Sequence, residues 1–112
     1  MAEFMLLIRN GNWDQYSPEE AQQAVQKYIA WARKLREEGR LKGGDELQAN
    51  GRILRKQAGQ IVDGPFAETK ESVGGYFLIE ADNYDHAVAI ARECPTFDHG
   101  GWVEIRAISL YQ

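Results

Sequence analysis

Cys94 is the only cysteine, so no disulfide within the chain can hold the fold. Its thiol reads as a small apolar residue near a helix end. Histidine is nearly as scarce, with His86 and His99 alone. No grouping of His, Cys and carboxylates has metal-ligand spacing, so no metal is expected. Gly43-Gly44 and Gly74-Gly75 lack the spacing of a phosphate loop and lead into no helix, so no cofactor is expected either. The chain also has no basic block. Lys and Arg are scattered and the formal net charge is -4. Neutralising a phosphate backbone takes a concentrated cationic footprint, so direct nucleic-acid binding is not expected. The longest strongly apolar run, Phe4 to Ile8, is far short of the ~20 residues that span a bilayer. It is also short for a signal-peptide core. No membrane association is expected, and the cytoplasm is the default location.

What is present suits one ordinary globular unit. Hydrophobic residues make up 44% and charged residues 27% of 112 positions, and one domain over 1–112 is expected. Glu3 to Arg9 reads as a strand with Phe4, Leu6 and Ile8 on one face and Met5 and Leu7 on the other. Ser17-Pro18-Glu19-Glu20 announces a helix: Ser17 suits the N-cap, Pro18 the first turn, and Glu20 completes a capping box. Ala21, Val25, Tyr28, Ala32 and Leu35 form its expected buried stripe, and Gly39 its left-handed stop. Arg40 to Leu47 reads as a second strand. Ile53-Leu54 and Ile61-Val62 flank Gly59 as a small hairpin. Tyr76 to Ala81 is a third main strand, Asn83 to Glu93 a second helix stopped by Pro95, and Trp102 to Tyr111 a last strand.

The order is strand, helix, strand, hairpin, strand, helix, strand. This is an α+β, split βαβ (ferredoxin-like) arrangement with an inserted β-hairpin. Its first and third main strands are central, and these are the two most apolar strands here. Two helices can cover only one face of such a sheet. The other face would carry Met5, Leu7, Tyr76, Leu78, Ile108 and Leu110, and a second copy of the chain is the simplest cover.

The most distinctive stretch is Asp63-Gly64-Pro65-Phe66-Ala67-Glu68-Thr69-Lys70-Glu71, followed by Gly74-Gly75-Tyr76-Phe77. It resembles the signature of DGPF-type proteins, a branch of the YCII-related family. Met5 to Ile8, Gly39-Arg40-Leu41, Asp82 to Pro95 and Val103 to Arg106 extend the resemblance over nearly the whole chain. The resemblance implies a homodimer packed sheet against sheet, a sandwich of the dimeric α+β barrel type, with a cleft near the motif. Some YCII-related members look like small lyases or dehalogenases built on a His–Asp pair. DGPF-type genes are often associated with alternative sigma factors, which implies a regulatory setting. The position that aligns with the family's helix histidine is Tyr28, so the usual His–Asp pair is missing from this chain.

Asp63, Glu68, Lys70 and Glu71 concentrate ionisable groups near a sheet end. A carboxylate beside Phe66 and Tyr76 could have a raised pKa and act as a general base, and Lys70 could hold an anion. Asp63, Glu68 and Lys70 are therefore the catalytic candidates. Gly64, Phe66, Thr69, Tyr76, Tyr28, Glu104 and Arg106 are the candidate ligand contacts. Turn architecture, ligand binding without chemistry and catalysis all remain open for the motif. His86 and His99 are both expected where the third main strand finishes, ~20 Å from the motif at the strand's start. Two functions follow. One is a dimeric small-molecule-binding or accessory protein, linked to a sigma-factor system. The other is a cofactor-independent lyase-like or dehalogenase-like enzyme using acid–base chemistry beside the motif.

Overall fold

A computed structural model describes residues 2–9, 15–48, 51–64 and 73–109. The first strand, β1 (Ala2–Arg9), alternates as the sequence requires. Phe4, Leu6 and Ile8 are buried against the helices, whereas Met5 and Leu7 lie half-covered on the other face. Helix α1 (Pro18–Glu37) starts on the expected capping box. The Glu20 amide donates to Ser17 Oγ at 3.1 Å, and the Ser17 amide donates to Glu20 Oε1 at 3.0 Å. These bonds hold the Glu20 carboxyl below its ordinary pKa, the bond from the Ser17 amide contributing most. The helix stops at Gly39, whose φ of 73° is the left-handed conformation that favours glycine.

The buried stripe of α1 differs from the expected one. Ala24, Trp31 and Leu35 are buried with Tyr28 packed beside them, whereas Val25 is 47% exposed. The apolar residues of α1 admit two neighbouring stripes. The sheet takes the one that stacks Trp31 on Phe77, with ring centroids 4.8 Å apart.

Strands β2 (Leu41–Glu46) and β5 (Val73–Ala81) and the last strand, β6 (Trp102–Ala107), join β1 in one antiparallel sheet of order β2-β5-β1-β6. The expected central strands, β1 and β5, are central. Helix α2 (Tyr84–Ala91) is capped by Asn83, which accepts from the His86 amide at 2.9 Å, and it packs on the same face as α1. A 3-10 helix (Pro95–His99) then leads into β6. Strands β3 (Ile53–Gln57) and β4 (Gln60–Gly64) form the inserted hairpin as a separate two-stranded sheet.

The barrel expectation is corrected by this topology. Among the described residues both sheets are open: β2 pairs only with β5, β6 only with β1, and the hairpin pairs within itself instead of bridging the two edges. Four strands leave two free edges and enclose no interior. What remains is a ferredoxin-like mix of strands and helices around an open sheet.

The second face of the main sheet is read off the register. Met5 lies between Leu78 and Arg106, and Leu7 between Tyr76 and Glu104. Ile108 is 37% exposed, and Leu110 falls outside the described residues. The Leu6 side chain is fully buried, so Leu6→Ala should cost about 2–5 kcal/mol through lost transfer energy and a residual cavity. Val25→Ala should stay within about 1 kcal/mol, because the side chain is already half in water. Urea unfolding of the two variants checks both values.

Candidate functional site

The end of β1 is fastened to the 3-10 helix, and the fastening gathers the chain's ionisable side chains. Thr96 is fully buried, and its Oγ1 donates to the Arg9 carbonyl at 2.8 Å. The Gly101 amide donates to the Thr96 carbonyl at 2.9 Å. Any Cβ at Gly101 would collide with Thr96 Oγ1 and the Arg9 carbonyl, so only glycine lets the chain pass.

Around this joint stand Tyr16, Tyr28, Cys94, Asp98 and His99. The Tyr16 hydroxyl is hydrogen-bonded to His99 Nδ1, and the two rings meet edge to face at 4.9 Å. Cys94 Sγ lies 3.9 Å from the Tyr28 hydroxyl, which also bonds to Thr96. Lys27 Nζ reaches Asp98 Oδ2 at 3.4 Å at the surface.

Burial sets the protonation of this cluster. It raises the Tyr28 phenol far above its ordinary range, and the nearby Cys94 adds to the effect. It also raises the Cys94 thiol, despite a bond at Thr96 that opposes the shift. His99 is 5% exposed, and burial lowers its pKa; Asp98 pulls it upward and Lys27 pushes it further down. Tyr28, Cys94 and His99 are thus held neutral near pH 7, and the field of Asp98 acts on all three. A hydroxyl bonded to a neutral imidazole is an acid–base pair: the imidazole takes a proton through the hydroxyl and returns it the same way.

Asp63, at the end of β4, is ion-paired with Arg52 through Nε at 2.9 Å and through Nη2, on an exposed part of the hairpin. Gly64 ends β4 beside it. Glu68, Lys70, Phe66 and Thr69 lie outside the described residues. Tyr76 is on the sheet face away from the helices, where its hydroxyl donates to Asp45 Oδ2 at 3.4 Å. Glu104 is bracketed by Arg9 at 3.1 Å and Arg106 at 3.4 Å, a cross-strand ion pair extended along β6. Among the described candidate residues, Tyr28 alone joins the buried cluster.

His99 does not lie where it was expected. Arg9 pairs with Val73 at the start of β5 and with Trp102 at the start of β6, so these points share one end of the sheet. Helix α2 carries the chain back along the sheet before the 3-10 helix begins. His99 therefore sits at the end where β5 starts, on the side where the chain arrives from the DGPF motif. His86 stays at the far end, its Nδ1 accepting from the Asp82 amide at 3.0 Å. The signal for His99 was available: two antiparallel pairings to β1 make β5 and β6 run the same way. Tyr16 carried no sequence signal, since only the fold brings it to His99. Among the described residues no group of three or more His, Cys, Asp or Glu could hold a metal ion. No helix among them is long and apolar enough to cross a membrane.

The model of the YCII-related domain matches residues 2–111. An uncharacterized protein of Rhizobium meliloti, R00369, is 34% identical over 102 residues, covering 87% of this chain and 82% of its own length. A solved structure of 5-chloro-2-hydroxyhydroquinone dehydrochlorinase from Burkholderia phenoliruptrix, in complex with 2,5-dihydroxybenzoquinone, is similar at a TM-score of 0.46. It is 15% identical, and the match covers 98% of this chain and 93% of that one. A likeness this distant carries nothing about the reaction. The chain belongs to the YCII-related family.

The lowered pKa of His99 has a consequence for stability. The unfolded chain takes up the proton below about pH 6.5, and the folded chain resists it. The unfolded state then binds more protons, so stability is full above that pH and falls as the pH drops towards the lower folded value. Urea unfolding of wild type and His99→Gln between pH 7.5 and 5, values on the order of the imidazole range, should show a steeper loss for wild type. Parallel curves would remove the burial argument.

Proposed function

We propose that this YCII-related chain is a small cofactor-independent enzyme of lyase-like or dehalogenase-like type. The observation that supports the reading is the convergence of Tyr28, Cys94 and His99, all shifted by burial, around Asp98 with Tyr16 bonded to His99. Perturbed titratable groups concentrate at working sites. Tyr16 is only half-buried and is the member able to meet a ligand; His99 stands behind it.

The chemistry that suits the pair is elimination next to a carbonyl. The substrate C–H bond breaks and its proton passes to the Tyr16 oxygen, while the Tyr16 proton passes to His99 Nδ1. The electron pair forms a carbon–carbon double bond, and the neighbouring bond to halogen or oxygen breaks. The leaving group departs with the electrons of that bond. The positive charge that collects on His99 is stabilised by Asp98 next to it. Neutral Tyr28 and Cys94 supply a hydroxyl and a thiol without adding charge to the site. Nothing about the described residues speaks for the sigma-linked accessory role.

The test is turnover of β-halogenated and β-hydroxylated carbonyl compounds, followed by halide release or the new conjugated absorbance. Tyr16→Phe and His99→Gln should each lower kcat about 100-fold or more with the fold intact. Asp63→Asn should leave kcat within threefold, on the order of a surface change. Loss of activity in Asp63→Asn with Tyr16→Phe unaffected would move the chemistry to the DGPF segment. Ligand binding with no turnover in wild type would leave a binding protein.

The partner in this proposal is a second copy of the chain. The uncovered face holds an apolar centre of Met5, Leu7, Tyr76 and Leu78, with Asp45 on the β2 rim and Arg106 on the β6 rim. A twofold axis along the strands would lay the β2 rim of one copy over the β6 rim of the other, and the reverse. Leu7→Glu should convert a dimer to the 12.7 kDa monomer in light scattering without changing the far-UV circular dichroism. An unchanged mass would reject the sheet-face contact.

A further inference from the structure

The β3–β4 hairpin stands outside the core. None of its residues belongs to the buried cluster or to the partly buried residues packed against that cluster. It is nonetheless apolar. Pairing of Leu54 with Asp63 and of Lys56 with Ile61 puts Leu54 and Ile61 on one face, with Ile53 and Val62 on the other. Leu54 and Ile61, at 65% and 68%, are the most exposed large hydrophobic side chains among the described residues. A two-stranded hairpin alone in water is marginally stable, and among the described residues neither outer edge of this one has a strand neighbour. The chain's radius of gyration is 16.1 Å, against about 13 Å for a compact domain of this length, as an outstanding arm requires.

The charge of the arm identifies what it meets. Residues 51–64 hold three cations, Arg52, Arg55 and Lys56, against one acid, Asp63. The arm therefore carries +2 in a chain of net -4, which leaves -6 on the remainder. Arg55 and Lys56 are exposed, as are Asp45, Glu46 and Asp82 on the body. A basic, apolar arm and an acidic body in the same polypeptide complement each other between two copies.

We infer that the β3–β4 hairpin is an arm that docks on the body of a second copy of this chain. The inference shares the second copy with the homodimer proposed above but uses a different surface. Docking through the Leu54–Ile61 face removes both side chains from water and sets Lys56, on that same face, against an acidic side chain. It also carries Asp63 to the neighbouring subunit.

The experiment is isotope-coded photo-cross-linking. Unlabelled and nitrogen-15-labelled chains, each with a photoreactive benzoylphenylalanine at Ile61, are unfolded together, refolded together and irradiated. A second pair carries the probe at Leu54, in case the first position disturbs the hairpin. The expected result is cross-linked peptide pairs with one light and one heavy member, joining the hairpin to a body segment. Pairs of like label only would mean that the arm folds onto its own chain, and an absence of cross-links at both positions would leave it in water; either overturns the inference. The Leu7→Glu mass reports separately on the sheet face. Mixed pairs that persist in Leu7→Glu would sustain the arm without the sheet contact, and their absence from a wild-type dimer would do the reverse.

Discussion

The structure depends on a sheet whose two central strands are apolar on both faces, in a chain with helices enough for one. β1 and β5 supply Phe4, Leu6, Ile8, Phe77 and Ile79 to the helix side, and α1 and α2 close over them. The same strands send Met5, Leu7, Tyr76 and Leu78 the other way, because side chains alternate along a strand. Among the described residues both helices fall on one face. Half-coverage is therefore a property of the topology. It leaves that face fringed by the charges of Asp45 and Glu104 with Arg9 and Arg106.

The cluster at the end of β1 follows from a second constraint, the return of the chain from α2 to β6. The return is made by a short 3-10 helix pressed against the Arg9 carbonyl, close enough that position 101 tolerates no side chain. Groups packed that tightly lose water. The phenol of Tyr28 and the thiol of Cys94 move up, the imidazole of His99 moves down, and each stays in its neutral form. An ion pair buried here would have had to offset several kcal/mol of desolvation for each charge. Neutral donors and acceptors avoid that cost and still move protons. Charge is left to Asp98 and Lys27 at the surface.

Much of the fold was legible because it rests on local rules. The capping box at Ser17, the left-handed stop at Gly39, the alternation of β1 and the hairpin around Gly59 are each written in a few adjacent residues. The stripe on α1 was legible only in part. Val25 and Ala24 are both acceptable to a helix, and the choice between them is made by Trp31 stacking on Phe77, a contact between distant segments. The expected barrel failed for a related reason: it came from resemblance, and the edges of β2 and β6 are free in this chain. For the site, a dense polar motif drew the eye to Asp63, yet Asp63 is bonded to Arg52 on an arm. Tyr16 and His99 are 83 residues apart, and composition gives no hint that they meet.

Tyr28 stands where the resemblance implies a histidine. A histidine there would titrate near neutral pH and could pair with a carboxylate. Tyrosine in the same place faces Cys94 and Thr96, and burial keeps both Tyr28 and Cys94 protonated. Such a pair donates hydrogen bonds but is a poor base, so a base has to come from elsewhere. His99 is the group within the same cluster whose neutral form is favoured and whose ordinary pKa lies near physiological pH. Under the proposed function the proton-accepting role would therefore fall to His99 beside Tyr16, in the turn before β6, and not to α1.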